Sequence, residues 1–318
     1  MFAYAGWIRK YAHSGQAMGI CLLFLCSAAT SQIPVTDVVV RSSQQTKRYS
    51  DEFKNLLAKE TKTFRVFDKN GNVKKERGIV SNFLVHEFLK GKGETTEFRS
   101  VLSVDGKPVA NIEKRAIDLF ERVSKAESSA SELARIQKES LRYDDEIQIV
   151  GLTLFQGIAL DERVRDSFAF EVTGREKVGN SDAYVLQYRQ IKDTDLIRIS
   201  NEPGGPAVLA YDFDLGDIKN AKPRLRGTLW IDSNNYQILR EIRELAIRPD
   251  AFETTVVIAS NEFEYSPSDF GIHTPRRILH TQFRVDPKAR RSVKEIEYQF
   301  VYSDFTRPKV DVTSDKPA

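Results

Sequence analysis

"GTLWIDSNNYQILREIREL", Gly227 to Leu245, reads as a strand, a turn and a second strand. Thr228-Leu-Trp-Ile231 and Gln237-Ile-Leu-Arg-Glu-Ile242 favour extended backbone, and Asn234-Asn235 between them suits a tight turn. Leu229 and Ile231 then face one way and Trp230 the other, because side chains alternate along a strand. Both faces still mix Ile and Leu with Arg and Glu. A curled sheet offers a reason: apolar and charged residues share a face where a strand leaves the zone its cover reaches.

The same pattern extends outward from this hairpin. Phe168–Val172, Tyr184–Tyr188, Ala207–Phe213, Thr254–Tyr265, Leu279–Val285 and Ile296–Tyr302 alternate, with turn residues between them at Gly179-Asn180, Glu202–Pro206, Ser266-Pro267 and Asp286-Pro287. Upstream, Asn70-Gly71 predicts a two-residue hairpin turn, Ile79–Leu89 a strand buried on both sides, and Phe98–Val104 a strand ending at Asp105-Gly106. Two helices interrupt the strands. Asn111 is placed to cap the first, with its stripe of Ile112, Ala116, Leu119, Phe120 and Val123; Ser129 and Glu132 form a capping box for the second, with Leu133, Ile136 and Leu141. A short third helix is expected over 152–160. Strands joined by short turns pair antiparallel, and a sheet of about ten strands must curl or close. The expected fold is α+β: a large curled antiparallel sheet, an incomplete β-barrel, with helices over its concave face.

Arg9 and Lys10 precede the apolar run Ala17–Ala29, and small residues follow at Ala28, Ala29, Thr30 and Ser31. This is the plan of a signal peptide, and the run is shorter than the roughly 20 residues a membrane-spanning helix needs. The expected organisation is a signal peptide over 1–31, a flexible leader over 32–48, one domain over 49–306 and a disordered tail over 307–318. Within it, Ser50–Glu60 is read as a short amphipathic helix carrying Phe53, Leu56 and Leu57. Both cysteines, Cys21 and Cys26, fall inside the apolar run, so an exported chain would have no disulfide or thiol chemistry. The net charge of +3 gives no field that would gather nucleic acid.

Catalytic signatures are absent: no G-x-S-x-G, phosphate-binding loop, dinucleotide fingerprint or H-E-x-x-H. His86-Glu87 sits in an expected strand, where the two side chains diverge. Asp68–Asn72 has its glycine in the wrong place for a calcium loop and suits a turn. Asp212 with Asp214, and His273 with His280, are the remaining acid–base candidates; strand and turn roles explain them as well. Arg276-Arg277, Lys288–Arg291 and Lys222–Arg226 are basic clusters on expected turns, open to lipid phosphates or nucleic acid; solvated turn charges are the usual case, and an exported location argues against nucleic acid. No catalytic residue, metal or cofactor is expected, and the chain reads as non-enzymatic.

Aromatic residues supply the positive feature. Tyr184, Tyr188, Tyr211, Phe213, Phe263, Phe283, Tyr298 and Phe300 recur on the apolar side of successive strands. They are the candidate ligand-binding residues, and an ordinary covered core explains the same pattern. The strand Gly227–Asp232 followed by Gln237–Glu241, within this order of elements, resembles a recurring hairpin of the periplasmic lipoprotein-carrier superfamily, which includes the outer-membrane lipoprotein-sorting proteins and the sensor RseB. The resemblance implies a half-barrel holding lipid under helices and a periplasmic location in a Gram-negative bacterium. It also implies an apolar ligand or lipid as partner, with envelope proteins as further partners. An envelope structural or interaction module with a filled barrel and no ligand is the alternative reading, and a hydrolase with an unrecognised site using His or Asp residues on turns is a weaker one.

Overall fold

The computed structural model describes residues 34–88, 94–110, 113–144, 151–194, 197–199, 209–211, 223–249, 252, 254–286 and 288–308. The Asn70-Gly71 turn joins β1 (Leu56–Phe67) to β2 (Val73–Glu87), with the Asp68 carboxylate accepting from the amides of Asn70 and Asn72. β3 (Thr95–Val104) and the two-residue β4 (Lys107–Pro108) follow. After the helical interruption come β5 (Phe168–Val178), β6 (Ser181–Gln190), the short β7 (Ile197–Ile199) and β8 (Leu209–Tyr211). The opening hairpin is β9 (Arg224–Asp232) and β10 (Ile238–Ile247), and β11 (Val256–Pro267), β12 (His273–Asp286) and β13 (Arg291–Thr306) complete the chain.

Eleven of these strands form one antiparallel sheet in the order β4-β3-β2-β1-β13-β12-β11-β10-β9-β6-β5. The last long strand inserts beside the first, at β1–β13, and β4 and β5 remain as unpaired edges, so the barrel is incomplete. β7 and β8 pair parallel in a separate two-stranded sheet, where the sequence led us to expect a member of the meander. Among the described residues no helix is long and apolar enough to cross a membrane.

The leader expectation fails where the structure begins. α1 (Val35–Glu52) occupies it, and Ser50 lies near its end instead of capping its start. Val38, Val39, Ser42, Ser43, Thr46 and Tyr49 are buried at helical spacing. Three hydroxyl residues in the contact stripe made it read as polar. The stretch expected as a helix over 50–60 is instead the end of α1 and the start of β1, because Leu56, Leu57 and Ala58 are buried on both faces of a strand.

α2 (Ala116–Ala126) starts at Arg115, past Asn111, which lies outside the described residues. α3 (Ala130–Ser140) has the expected cap, Ser129 Oγ accepting from the Glu132 amide. The third helix is two isolated 3-10 turns, Leu152–Leu154 and Ile158–Leu160. The helices divide between the faces. Leu119, Val123 and Ile136 pack on Leu57, Leu84 and Phe98, so α2 and α3 lie on one side of β1–β3. α1 and residues 151–160 lie on the other, termed here the inner face. Tyr49 stands edge-on to Tyr265 at 6.3 Å, and the Ser43 hydroxyl donates to the Leu160 carbonyl at 2.7 Å.

Candidate functional site

The mixed composition of the hairpin has a different cause from the one expected. Glu241 pairs in register with Leu229 and Phe263, and Arg243 with Gly227 and Asn261, so both charges face inward and both are wholly buried. Arg243 Nε donates to Glu241 Oε1 and Nη2 to Oε2, each at 2.9 Å. The same Nη2 donates to the Phe155 carbonyl at 2.6 Å, and the guanidinium lies over the Phe263 ring at 4.7 Å. Glu241 also accepts from the Tyr188 hydroxyl at 3.1 Å and from the Gly157 amide at 3.0 Å. The pair therefore holds residues 155–157 against the sheet.

Two glycines make this geometry accessible. A Cβ on Gly227 would lie 2.1 Å from the Ile242 carbonyl oxygen and 2.5 Å from the Tyr188 hydroxyl, so only glycine lets Tyr188 cross the strand to Glu241. Gly157 has φ +57°, and its Cβ would meet Ile238 Cδ1 at 2.4 Å.

A second buried network lies under β1–β3. Arg99 Nε and Nη2 grip Glu60 in a two-pronged contact at 2.8 Å, and Nη2 reaches Glu97 at 3.1 Å. Burial opposes the Arg99 charge, and Glu60 and Glu97 outweigh it and hold its pKa well above the usual value. Glu97 Oε1 accepts from the Thr153 amide at 3.1 Å and from its hydroxyl at 2.7 Å, while Tyr49 donates to the Thr153 carbonyl at 2.6 Å. Lys62 pairs with Asp144 alongside. Burial raises the Asp144 pKa despite that partner. Residues 151–160 are thus pinned at Thr153 by Glu97 and at Gly157 by Glu241.

These charged residues were not anticipated, although a pattern marks them. Glu60-x-Lys62, Glu97-x-Arg99 and Glu241-x-Arg243 each put an acid and a base two residues apart on one strand face. Arg99 with Glu97 and Arg243 with Glu241 pair within the strand, whereas Glu60 and Lys62 find their partners in Arg99 and Asp144.

Of the expected aromatic set, Tyr184, Tyr188, Phe263, Tyr298 and Phe300 share the inner face and none is more than 4% exposed. Their rings join Phe64 and Tyr302 in a band: Phe64–Tyr298 at 4.6 Å, Tyr298–Phe300 at 6.2 Å and Phe300–Tyr302 at 6.4 Å between centroids. Tyr188 also borders an open groove of about 540 Å³ with Phe170, Arg189 and Ile242. Phe283 departs from the set. Ile278 and His280 face inward on β12, so alternation turns Phe283 to the reverse face, where it is half-buried beside an irregularity in the pairing. The side chain of Tyr211 and the whole of Phe213 lie outside the described residues, as do Asp212 and Asp214.

The histidines have structural partners. His280 Nδ1 is 2.7 Å from Asn261 Oδ1, and burial pushes its pKa down to about 4. His273 Nδ1 is 3.2 Å from the Ile238 carbonyl, and burial lowers its pKa too. His86 faces α2, with Nε2 2.7 Å from Glu127. Among the described residues no three His, Cys, Asp or Glu are grouped to hold a metal ion.

No protein-family model and no curated protein sequence matches the chain. Among solved structures, a proposed outer membrane lipoprotein-sorting protein domain from Vibrio parahaemolyticus is 10% identical over 85% of this chain and 92% of its own, with a TM-score of 0.39. A LolA superfamily protein from Nitrosomonas europaea is 8% identical, covering 88% of this chain and 96% of its own, with a TM-score of 0.34. A DUF1329 family protein from Desulfovibrio piger is 12% identical, covering 89% and 95%, with a TM-score of 0.32.

Proposed function

We propose that the protein is an exported, non-enzymatic protein of the bacterial envelope that binds an apolar ligand, an acyl chain or lipid, on the inner face of its half-barrel. α1 and residues 151–160 are the cover that moves aside. One observation carries this reading: the cover buries polar atoms that the fold leaves unsatisfied. The sheet side carries the ring band together with the buried Glu60–Arg99 and Glu241–Arg243 pairs. Within the cover, Ser42, Thr46 and Gln156 are each more than nine-tenths buried, and each has a polar atom with no partner among the described residues. Buried polar atoms without partners cost about 1–3 kcal/mol each, so this is a poor permanent seal over aromatic surface. The apolar run over 17–29 supports export, and the structural duties of the histidines support a non-enzymatic role.

The second reading, an envelope module with a permanently filled interior, is favoured by the pinning at Glu97 and Glu241. Uptake of a fluorescent acyl probe separates the two. Glu97→Gln loosens the Thr153 anchor while Arg99 keeps Glu60, so the ligand reading expects faster probe uptake than in the unsubstituted protein. Loss of stability with no uptake in either protein would favour the filled module.

A further inference from the structure

The pairing of β1 with β13 sets two hairpin tips side by side at one end of the sheet. Val66 lies opposite Ile296, so the β1–β2 turn and the β12–β13 turn project together. Residues 68–77 and 284–295 carry nine basic and four acidic side chains. Two of the acids are committed locally. Asp68 accepts from the amides of Asn70 and Asn72, and Asp286 from those of Lys288 and Ala289. Those backbone hydrogen bonds hold both carboxylates below their usual pKa. Lys69, Lys74, Arg284, Lys288, Arg290 and Arg291 are exposed, and none makes an ion pair among the described residues. At the opposite end, the turns over 233–237 and 268–272 hold no basic residue and one acid, Asp269.

A second, independent feature sits in the same place. Val73, beside Lys74, is 51% exposed, more than any other large apolar side chain among the described residues. An apolar side chain presented at a hairpin tip among unpaired cations suits the interface of a bilayer. The cations meet lipid phosphates while the apolar group enters below them.

We propose that this end of the sheet docks the protein on a membrane surface rich in anionic phospholipid. The surface is separate from the inner face, so docking stands whether or not the ligand reading holds. It also gives a place to basic residues that make no ion pair among the described residues, with Asp286 as a nearby acid to Arg284 and Arg291.

The test is co-sedimentation of the full chain with vesicles of equal parts phosphatidylcholine and phosphatidylglycerol, and with phosphatidylcholine alone. Lys288→Glu/Arg290→Glu/Arg291→Glu and Val73→Ser are compared with the unsubstituted chain. All share the apolar run over 17–29, so differences among them report the tips. The expected result is binding to the anionic vesicles that weakens as salt rises. The triple variant should lose at least about 100-fold in partitioning, taking about fivefold for each cation removed at a charged surface, and the added carboxylates lower it further. Val73→Ser should weaken binding by a few-fold and leave its salt dependence unchanged. Unfolding of the triple variant is checked by its thermal transition, and a triple Lys/Arg→Gln variant serves in its place if it fails. Equal partitioning of the charge variants and the unsubstituted chain would overturn the proposal, as would retention on heparin without vesicle binding.

Discussion

Replacing Glu241 and Arg243, singly and together, tests whether the buried charges act as one unit. Each is wholly buried, and two parallel hydrogen bonds join the guanidinium to the carboxylate. Glu241→Leu leaves a guanidinium in the interior without its carboxylate, with the Phe155 carbonyl and the Phe263 ring beside it. Arg243→Met leaves a carboxylate with the Tyr188 hydroxyl and the Gly157 amide. Breaking a buried pair by removing one partner costs about 3–5 kcal/mol, so the two single variants together would cost about 6–10 if they were independent. The double variant buries no charge. It still loses the anchors to Phe155, Gly157 and Tyr188, at about 1 kcal/mol each, against which two apolar side chains are gained. A cost of about 1–3 kcal/mol is expected, hence a coupling of at least about 3. Urea unfolding of the four proteins measures this, and hydrogen exchange over 151–160 should rise in the double variant even where global stability is nearly kept. Additive single-variant costs would refute the account of the pair.

Two further outcomes follow from individual contacts. Gly227→Ala places a methyl group against the Ile242 carbonyl and the Tyr188 hydroxyl, and should cost about 2–3 kcal/mol in urea unfolding; a loss under about 0.5 would show that Tyr188 does not need the gap. His280 has a folded pKa of about 4, below the usual 6.5, so the unfolded chain takes up the proton first. Stability is then fully present above about pH 6.5 and falls as pH drops toward 4, by up to about 3 kcal/mol. His280→Gln should flatten that part of the profile, and an unchanged pH dependence would remove His280 as its source.

How far the sequence could be read depended on which physical pattern each segment carried. The strands were legible because alternation and turn chemistry agree in them, as at Asp68–Asn72 and Asp232–Tyr236, where an aspartate caps its own turn. α1 was missed because its contact stripe is built from Ser42, Ser43 and Thr46, which carry no hydropathy contrast. The aromatic band was legible as a parity, apart from Phe283, which shares its strand face with Leu279 and not with Ile278 and His280. The charged interior was not. Glu and Arg on an apolar face read as solvent-facing until Gly157, Thr153 and Phe155, distant in sequence, arrive as their partners. That contact is tertiary, and the acid-x-base spacing is its one trace in the chain.

The central claim, that the covered ring band is a ligand site, is tested most directly by native mass spectrometry of the protein isolated from its own cell envelope, under conditions that keep non-covalent complexes. The account predicts a bound species with the mass of a lipid, released on unfolding and diminished when Phe300 is replaced by Ala. A single ligand-free mass in repeated preparations, unchanged after loading with acyl lipid in vitro, would contradict it.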